Sequence, residues 1–218
     1  MDSNYHIIYA LFKLPYLLGL IWLLNKLPSS NLLNKMKTVY FRIKKYLQKI
    51  YRITLGNKHF DKFIWKDLKK MHREAGWRSG VYENERYIES VFEISDNIYA
   101  RYHYMLYENY FRCHVKVLEE FPEEITTDLF VMSTHFNNHL NSGVVLVNVE
   151  SNCVEYRLKT DYASLIINTE LNYYLLNLHY NISKDVYWAF HKLIKENEEP
   201  AIIIADLLTM VEARKSNS

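Results

Sequence analysis

The sequence predicts an α+β fold: an antiparallel sheet with C-terminal helices, preceded by a helical N-terminal extension. Two observations carry this. Between about residues 60 and 212, apolar residues recur at helical spacing in some stretches and at every second position in others. These stretches come in runs, α-βββ-α-ββ-α, rather than in strict alternation. Ahead of residue 56 the composition changes. Residues 1–80 hold 16 Lys/Arg against 4 Asp/Glu, a net of +12, while residues 81–218 hold 11 against 21, a net of −10. An asymmetry of this kind marks an arm with its own partner, or two halves that attract each other. The expected organisation is an extension over 1–55 and an α+β domain over 56–218.

Ile7–Leu24 is an 18-residue apolar stretch with a single charge, Lys13. Its eleven Leu, Ile and Phe residues favour bilayer insertion by roughly 3–7 kcal/mol, and a near-central Lys costs about 2.5–3.5 kcal/mol. Insertion is therefore energetically accessible. A cleaved signal peptide is a poorer fit, because Asp2 stands where a basic start is needed. From Lys26 to Phe60 there are nine Lys/Arg and no acid. If Ile7–Leu24 spans, this flank belongs on the cytoplasmic side. Within it, Leu32, Met36, Val39, Ile43, Leu47 and Ile50 form a helical stripe. Lys35, Lys37, Arg42, Lys44, Lys45, Lys49 and Arg52 cover much of the remainder. Such a helix suits an anionic membrane surface, or packing on its own domain or a second copy. Nucleic acid is disfavoured, since no RRM, KH or helix-turn-helix pattern accompanies the charge.

Phe60, Ile64, Leu68, Met71 and Ala75 predict a helix that Gly76 ends, with Trp77 packing behind it. Strands follow over Tyr87–Ile94, Ile98–Leu106 and Tyr110–Leu118. In the last of these, Phe111, Cys113, Val115 and Val117 face inward, and Arg112, His114 and Lys116 face outward. Asp96-Asn97 and Glu108-Asn109 suit the turns of a three-strand meander. Pro122 with Glu123 and Glu124 starts a helix bearing Ile125, Leu129, Met132, Phe136 and Leu140. Val145, Val147 and Val149 then alternate, followed by Val154, Tyr156 and Leu158 after the turn Glu150-Ser151-Asn152. Leu171 to Leu178 predicts a helix, Ser183 caps another, and Pro200 opens a last one through Glu212.

Asn137–Tyr162, with Gly143 and the run VEYRL at Val154–Leu158, resembles the central segment of the YbjN family and the type III secretion chaperone-like fold. Gly76-Trp77 and Asp185-Val186-Tyr187 are similar to that family as well, and the resemblance covers roughly residues 60–212. It implies a small dimeric α+β module that binds proteins, without enzymatic activity and with no catalytic residue to carry over. Residues 1–55 fall outside it.

The scan for chemistry is thin. With 5 glycines, the chain has no GxGxxG or P-loop, and it lacks GxSxG, CxxC and HExxH. Cys113 and Cys153 are too few for a disulfide framework. His135 and His139 have the spacing of two zinc ligands on one helix face, but Phe136 stands where a metalloprotease needs Glu. On a helical wheel His139 lies near the apolar stripe and His135 further out. His103 and His114 can meet across adjacent strands. Tyr99, Tyr102, Tyr104, Tyr107 and Tyr110 cluster in one hairpin. They form either a protein-binding face or an expression of the strand preference of aromatics.

The function that follows is a non-enzymatic adaptor or chaperone-like module without a cofactor. It is expected to be homodimeric, to bind an unidentified protein, and to be held at the cytoplasmic face of a membrane. The alternative is a soluble metal-dependent enzyme using His135 and His139. In a third reading, a wholly soluble chain folds its N-terminal helices over the domain.

Overall fold

The computed structural model describes residues 31–56, 59–167 and 170–216. The apolar segment Ile7–Leu24 lies outside the described residues. Among those residues no helix is long and apolar enough to cross a membrane. Chain contacts divide the protein into two units, Met1–Thr54 and Leu55–Ser218.

The described part of the first unit is one helix, α1 (Asn31–Leu55), which runs a residue past the unit's end. It has no acid in its first turn and a basic last turn, and Val39, Phe41, Ile43, Tyr46, Tyr51 and Ile53 along it are exposed.

The second unit begins with α2 (Phe60–Glu74). Its end is a Schellman closure: Trp77 N–H donates to His72 O at 3.1 Å and Gly76 N–H to Arg73 O at 3.2 Å. Gly76 supplies the left-handed φ of +67° that this closure requires. Six strands follow in one antiparallel sheet: β1 (Ser79–Tyr82), β2 (Tyr87–Ser95), β3 (Ile98–Leu106), β4 (Tyr110–Leu118), β5 (Val144–Asn148) and β6 (Cys153–Asp161). Their spatial order is β1-β2-β3-β4-β6-β5, so β6 inserts between β4 and the edge strand β5. The helices are α3 (Thr126–His139), α4 (Tyr162–Ile167), α5 (Leu171–Glu196) and α6 (Pro200–Ser216). The α+β class and the antiparallel sheet with C-terminal helices are as the sequence predicts.

Five details differ. Neither strand β1 nor helix α4 is among the elements the sequence predicts. The sequence places an α-helix at Pro122, but Glu123–Ile125 form a 3-10 turn and the helix proper starts at Thr126. Val149 sits in the turn rather than in β5. The two helices expected on either side of Ser183 are one, because Ser183 caps nothing. Its hydroxyl donates to Tyr180 O at 2.7 Å and lies 2.6 Å from Tyr102 Oη, so a mid-helix serine is satisfied by a strand.

Helix α5 packs on β2, β4 and β6, α3 packs on β5, and the α2 ring of His72 meets Tyr104 of β3. The core lies on this side, filled by Tyr102, Tyr104, Phe111, Tyr156, Leu158, Leu129, Met132 and Phe190, all nearly inaccessible. Between α3 and β5 the backbone turns sharply at Gly143, where φ is +79°. A Cβ there would stand 2.5 Å from Tyr156 Oη and 2.8 Å from Arg157 O, so only glycine fits. The free edge of β5 is closed by a side chain. Asn137 of α3 donates from Nδ2 to Val145 O at 2.9 Å and accepts Val145 N–H on Oδ1 at 2.8 Å.

Candidate binding face of the sheet

The strand alternation that sends Tyr102 and Tyr104 into the core sends their neighbours out the other side. This second face carries two groups of functional side chains, both fixed by register.

The first group follows one line across the sheet. Glu89 is opposite His103, His103 opposite His114, and His114 opposite Arg157. The rings of Tyr82 and Tyr87 stack at 5.1 Å, those of Tyr87 and His103 at 5.5 Å, and those of His103 and His114 at 5.3 Å. Tyr87 donates its phenol hydrogen to Glu89 at 2.9 Å and lies against His103 Nδ1. At the other end Arg157 grips the nearly buried Glu155, through Nε at 2.8 Å and Nη2 at 2.5 Å. His114 Nε2 lies 3.3 Å from the same carboxylate without hydrogen-bond alignment.

Burial lowers the pKa of both histidines, and for His103 it outweighs Glu89, for His114 Glu155. They are therefore held neutral, and the 3.3 Å approach is not an ion pair at neutral pH. Burial raises the Glu155 carboxyl, but the Arg157 hydrogen bond and nearby positive charge more than offset it, and Glu155 stays ionised.

The second group sits at the β3–β4 hairpin. Tyr107 and Tyr110 stack at 4.6 Å, nearly parallel. Arg112 Cζ lies 4.7 Å from the Tyr107 ring, and Lys159 Nζ lies 3.9 Å from the Tyr110 ring. Arg112 also donates to Met105 Sδ at 3.4 Å, a weak acceptor. Arg112 and Lys159 are directly opposite each other on β4 and β6.

The five hairpin tyrosines thus divide. Tyr102 and Tyr104 are core residues, 0% and 1% exposed, and present nothing to a partner. Tyr99 is 62% exposed on the outer face, and Tyr107 and Tyr110 are half-buried there. Of the two helix histidines, His135 is the more buried and His139, the last residue of α3, is exposed, the reverse of the wheel reading. They line different depressions, His135 beside Phe130 and Val131, His139 beside Leu140 and Tyr174. Among the described residues no group of three or more His, Cys, Asp or Glu could hold a metal. Both cysteines are buried and free. In α1, Lys37, Arg42, Lys44 and Lys45 are exposed and Lys49 and Arg52 half-buried, and Lys35 belongs to the same helix. A polar cleft of about 660 Å³ between the β2–β3 turn and helices α5 and α6 includes Asp185, but Arg214 pairs with it at 2.7 Å.

Sequence reasoning named Arg112, His114 and Lys116 as outward-facing but missed Glu155, Arg157, Lys159 and Tyr87 as their neighbours. Alternation in VEYRLKTDY signals which of these face out. It does not reveal that β6 pairs with β4.

No family model and no curated protein matches the chain. The resemblance to the YbjN family therefore has no match behind it. Among solved structures, the fold is similar to a chain in the crystal structure of the ExsC-ExsE complex. That likeness has 10% sequence identity and a TM-score of 0.43, and covers 58% of this chain and 91% of that one.

Proposed function

We propose that the chain is a non-enzymatic protein-binding module, adaptor-like or chaperone-like, that receives its partner on the open face of the sheet. The observation that carries this is the asymmetry of the sheet. Among the described residues of the second unit, helices occupy one face, while the other presents aromatic rings and basic side chains without an ion pair at fixed register. Aromatics and arginine are the residue types that dominate binding surfaces, because they offer large contact area and directed hydrogen bonds with little flexibility to lose. Photo-crosslinking residues placed at Tyr99 and Lys116, on this face, should yield discrete protein adducts. The same label at Thr127, on α3, should not. Adducts from Thr127 alone would defeat the proposal.

A second reading concerns α1. Seven Lys/Arg and no acid, with exposed Val39, Phe41, Ile43 and Tyr46, suit a helix lying on an anionic membrane. Each basic residue near such a surface contributes about 1 kcal/mol. Fractionation at low and high salt, comparing the full chain with one starting at Gly56, tests it. A full chain wholly in the supernatant at low salt ends the membrane reading. Homodimerisation stands or falls with sedimentation of the chain starting at Gly56, which should be dimeric at high concentration.

A further inference from the structure

Resting on the reading of the open face as a binding surface, we propose that its hairpin corner, formed by Tyr107, Tyr110, Arg112 and Lys159, docks the carboxylates of an acidic peptide segment. The first reason is a charge imbalance built into the register. Like charges directly opposite on neighbouring strands are destabilising, whereas opposite charges in the same positions stabilise the pair. Here Arg112 and Lys159 are exact cross-strand partners. Among the described residues neither forms an ion pair with a carboxylate.

The nearest acids of the same strand are already engaged. Asp161 accepts the Ser164 N–H at 2.8 Å and the Ser164 hydroxyl at 2.7 Å. Glu155 is held by Arg157. What Arg112 and Lys159 do contact is weak: tyrosine faces and a thioether. Arg112 Nε is buried and makes no hydrogen bond. The terminal guanidinium nitrogens, met only by sulfur and a ring, are the donors left for a carboxylate, which they can take in bidentate geometry.

The second reason is preorganisation. The Tyr107–Tyr110 stack forms a platform with one cation lying on each ring. Tyr107 is fixed further by its own backbone: its N–H donates to Tyr110 O at 2.9 Å, and its carbonyl accepts the hydroxyl of Tyr162. Two cations on directly opposite residues of adjacent strands offer more than one positive centre to an extended acidic segment.

An acidic peptide fits better than a nucleic acid. The tyrosine faces that would stack on bases are stacked on each other and covered by the cations. Glu155 and Asp161 of the neighbouring strand interrupt the positive charge that a continuous polyphosphate backbone would need.

The test uses the full chain and three labelled probes in fluorescence anisotropy: a short peptide of alternating Glu and Ala, its Gln–Ala counterpart, and a short oligothymidine. The Glu peptide should bind, with affinity falling as salt is added. The Gln peptide, and the R112Q/K159Q double variant with the Glu peptide, should each bind about tenfold more weakly, the loss expected for removing charge-assisted hydrogen bonds. K116Q, which removes a cation opposite Glu155 on the same face, should change affinity by about twofold or less. Equal binding of the Glu and Gln peptides, wild-type affinity in R112Q/K159Q, or an equal loss in K116Q would each overturn the proposal. So would tighter binding of oligothymidine, or self-association that R112Q/K159Q abolishes and the Glu peptide does not displace, since the occupant would then be nucleic acid or a second copy. If the peptide results fail while adducts from Tyr99 and Lys116 persist, the binding face stands and only this corner is misassigned.

Discussion

Tyrosine and histidine sit on both faces of this sheet, and the two faces use them differently. On the helix side, His179 stacks on Tyr156 at 5.0 Å, His72 meets the edges of Trp77 and Tyr104, and Tyr102 reaches Ser183. On the open side, His103 stacks on His114, and Tyr107 on Tyr110. The ring geometries are similar and the solvent is not. Burial pushes His179 down to about 3 against the pull of the Tyr156 carbonyl, whereas the outer histidines are lowered less, against the pull of the Glu89 and Glu155 carboxylates. The same residue types are inaccessible where the helices exclude water and partly exposed where they do not.

The largest break in that comparison should come from acid. A histidine whose folded pKa is depressed contributes stability above its unfolded value of about 6.5 and loses it as pH falls toward the folded value. For His179 the window runs from about 6.5 down to about 3, at ~1.4 kcal/mol per pH unit. The chain should therefore lose roughly 3–5 kcal/mol across that window, with His72 adding in the same direction. Urea unfolding of His179→Phe as a function of pH should show a distinctly shallower slope, while the His103→Gln/His114→Gln pair should keep most of it. An unchanged slope in His179→Phe would refute the assignment.

A smaller contrast comes from one substitution made on both faces. Tyr102→Phe removes the phenol that Ser183 accepts and should cost about 1–2 kcal/mol. Tyr99→Phe, on an exposed ring, should stay within about 0.5 kcal/mol of wild type. Equal costs in chemical denaturation would mean that the faces do not differ as described. The smallest effect has the opposite sign. Lys159→Gln relieves the repulsion from Arg112 and should leave stability unchanged or raise it by a few tenths of a kcal/mol, although it weakens peptide binding. A thermal melt lowered by more than ~1 kcal/mol would show that Lys159 is structural.

Much of this was legible in the residues. Period-two patterning in Tyr110–Leu118 gave both faces of β4, and Gly76-Trp77 gave the helix end. Strand β1 was not legible. Its four residues include Gly80 and are largely exposed, so no alternation marks them, and they form a strand because β2 offers a partner. Ser183 misled because serine caps helices well in isolation, and its actual partner lies 81 residues away on β3. The candidate site was half visible for a related reason. That Arg112 points outward is a local fact. That it faces Lys159 depends on β6 passing β5 to lie beside β4, which local periodicity does not encode.

The carboxamide of Asn137 has a consequence for growth of the sheet. Strand β5 reads VVLVN, without charge or proline, and such an edge templates further strands. Asn137 offers Val145 one donor and one acceptor, the same two groups a neighbouring strand would bring. A newcomer gains nothing at that residue until it displaces a partner covalently tied to the chain. One amide thus acts as a terminator for the sheet, opposing its extension into a filament from that side.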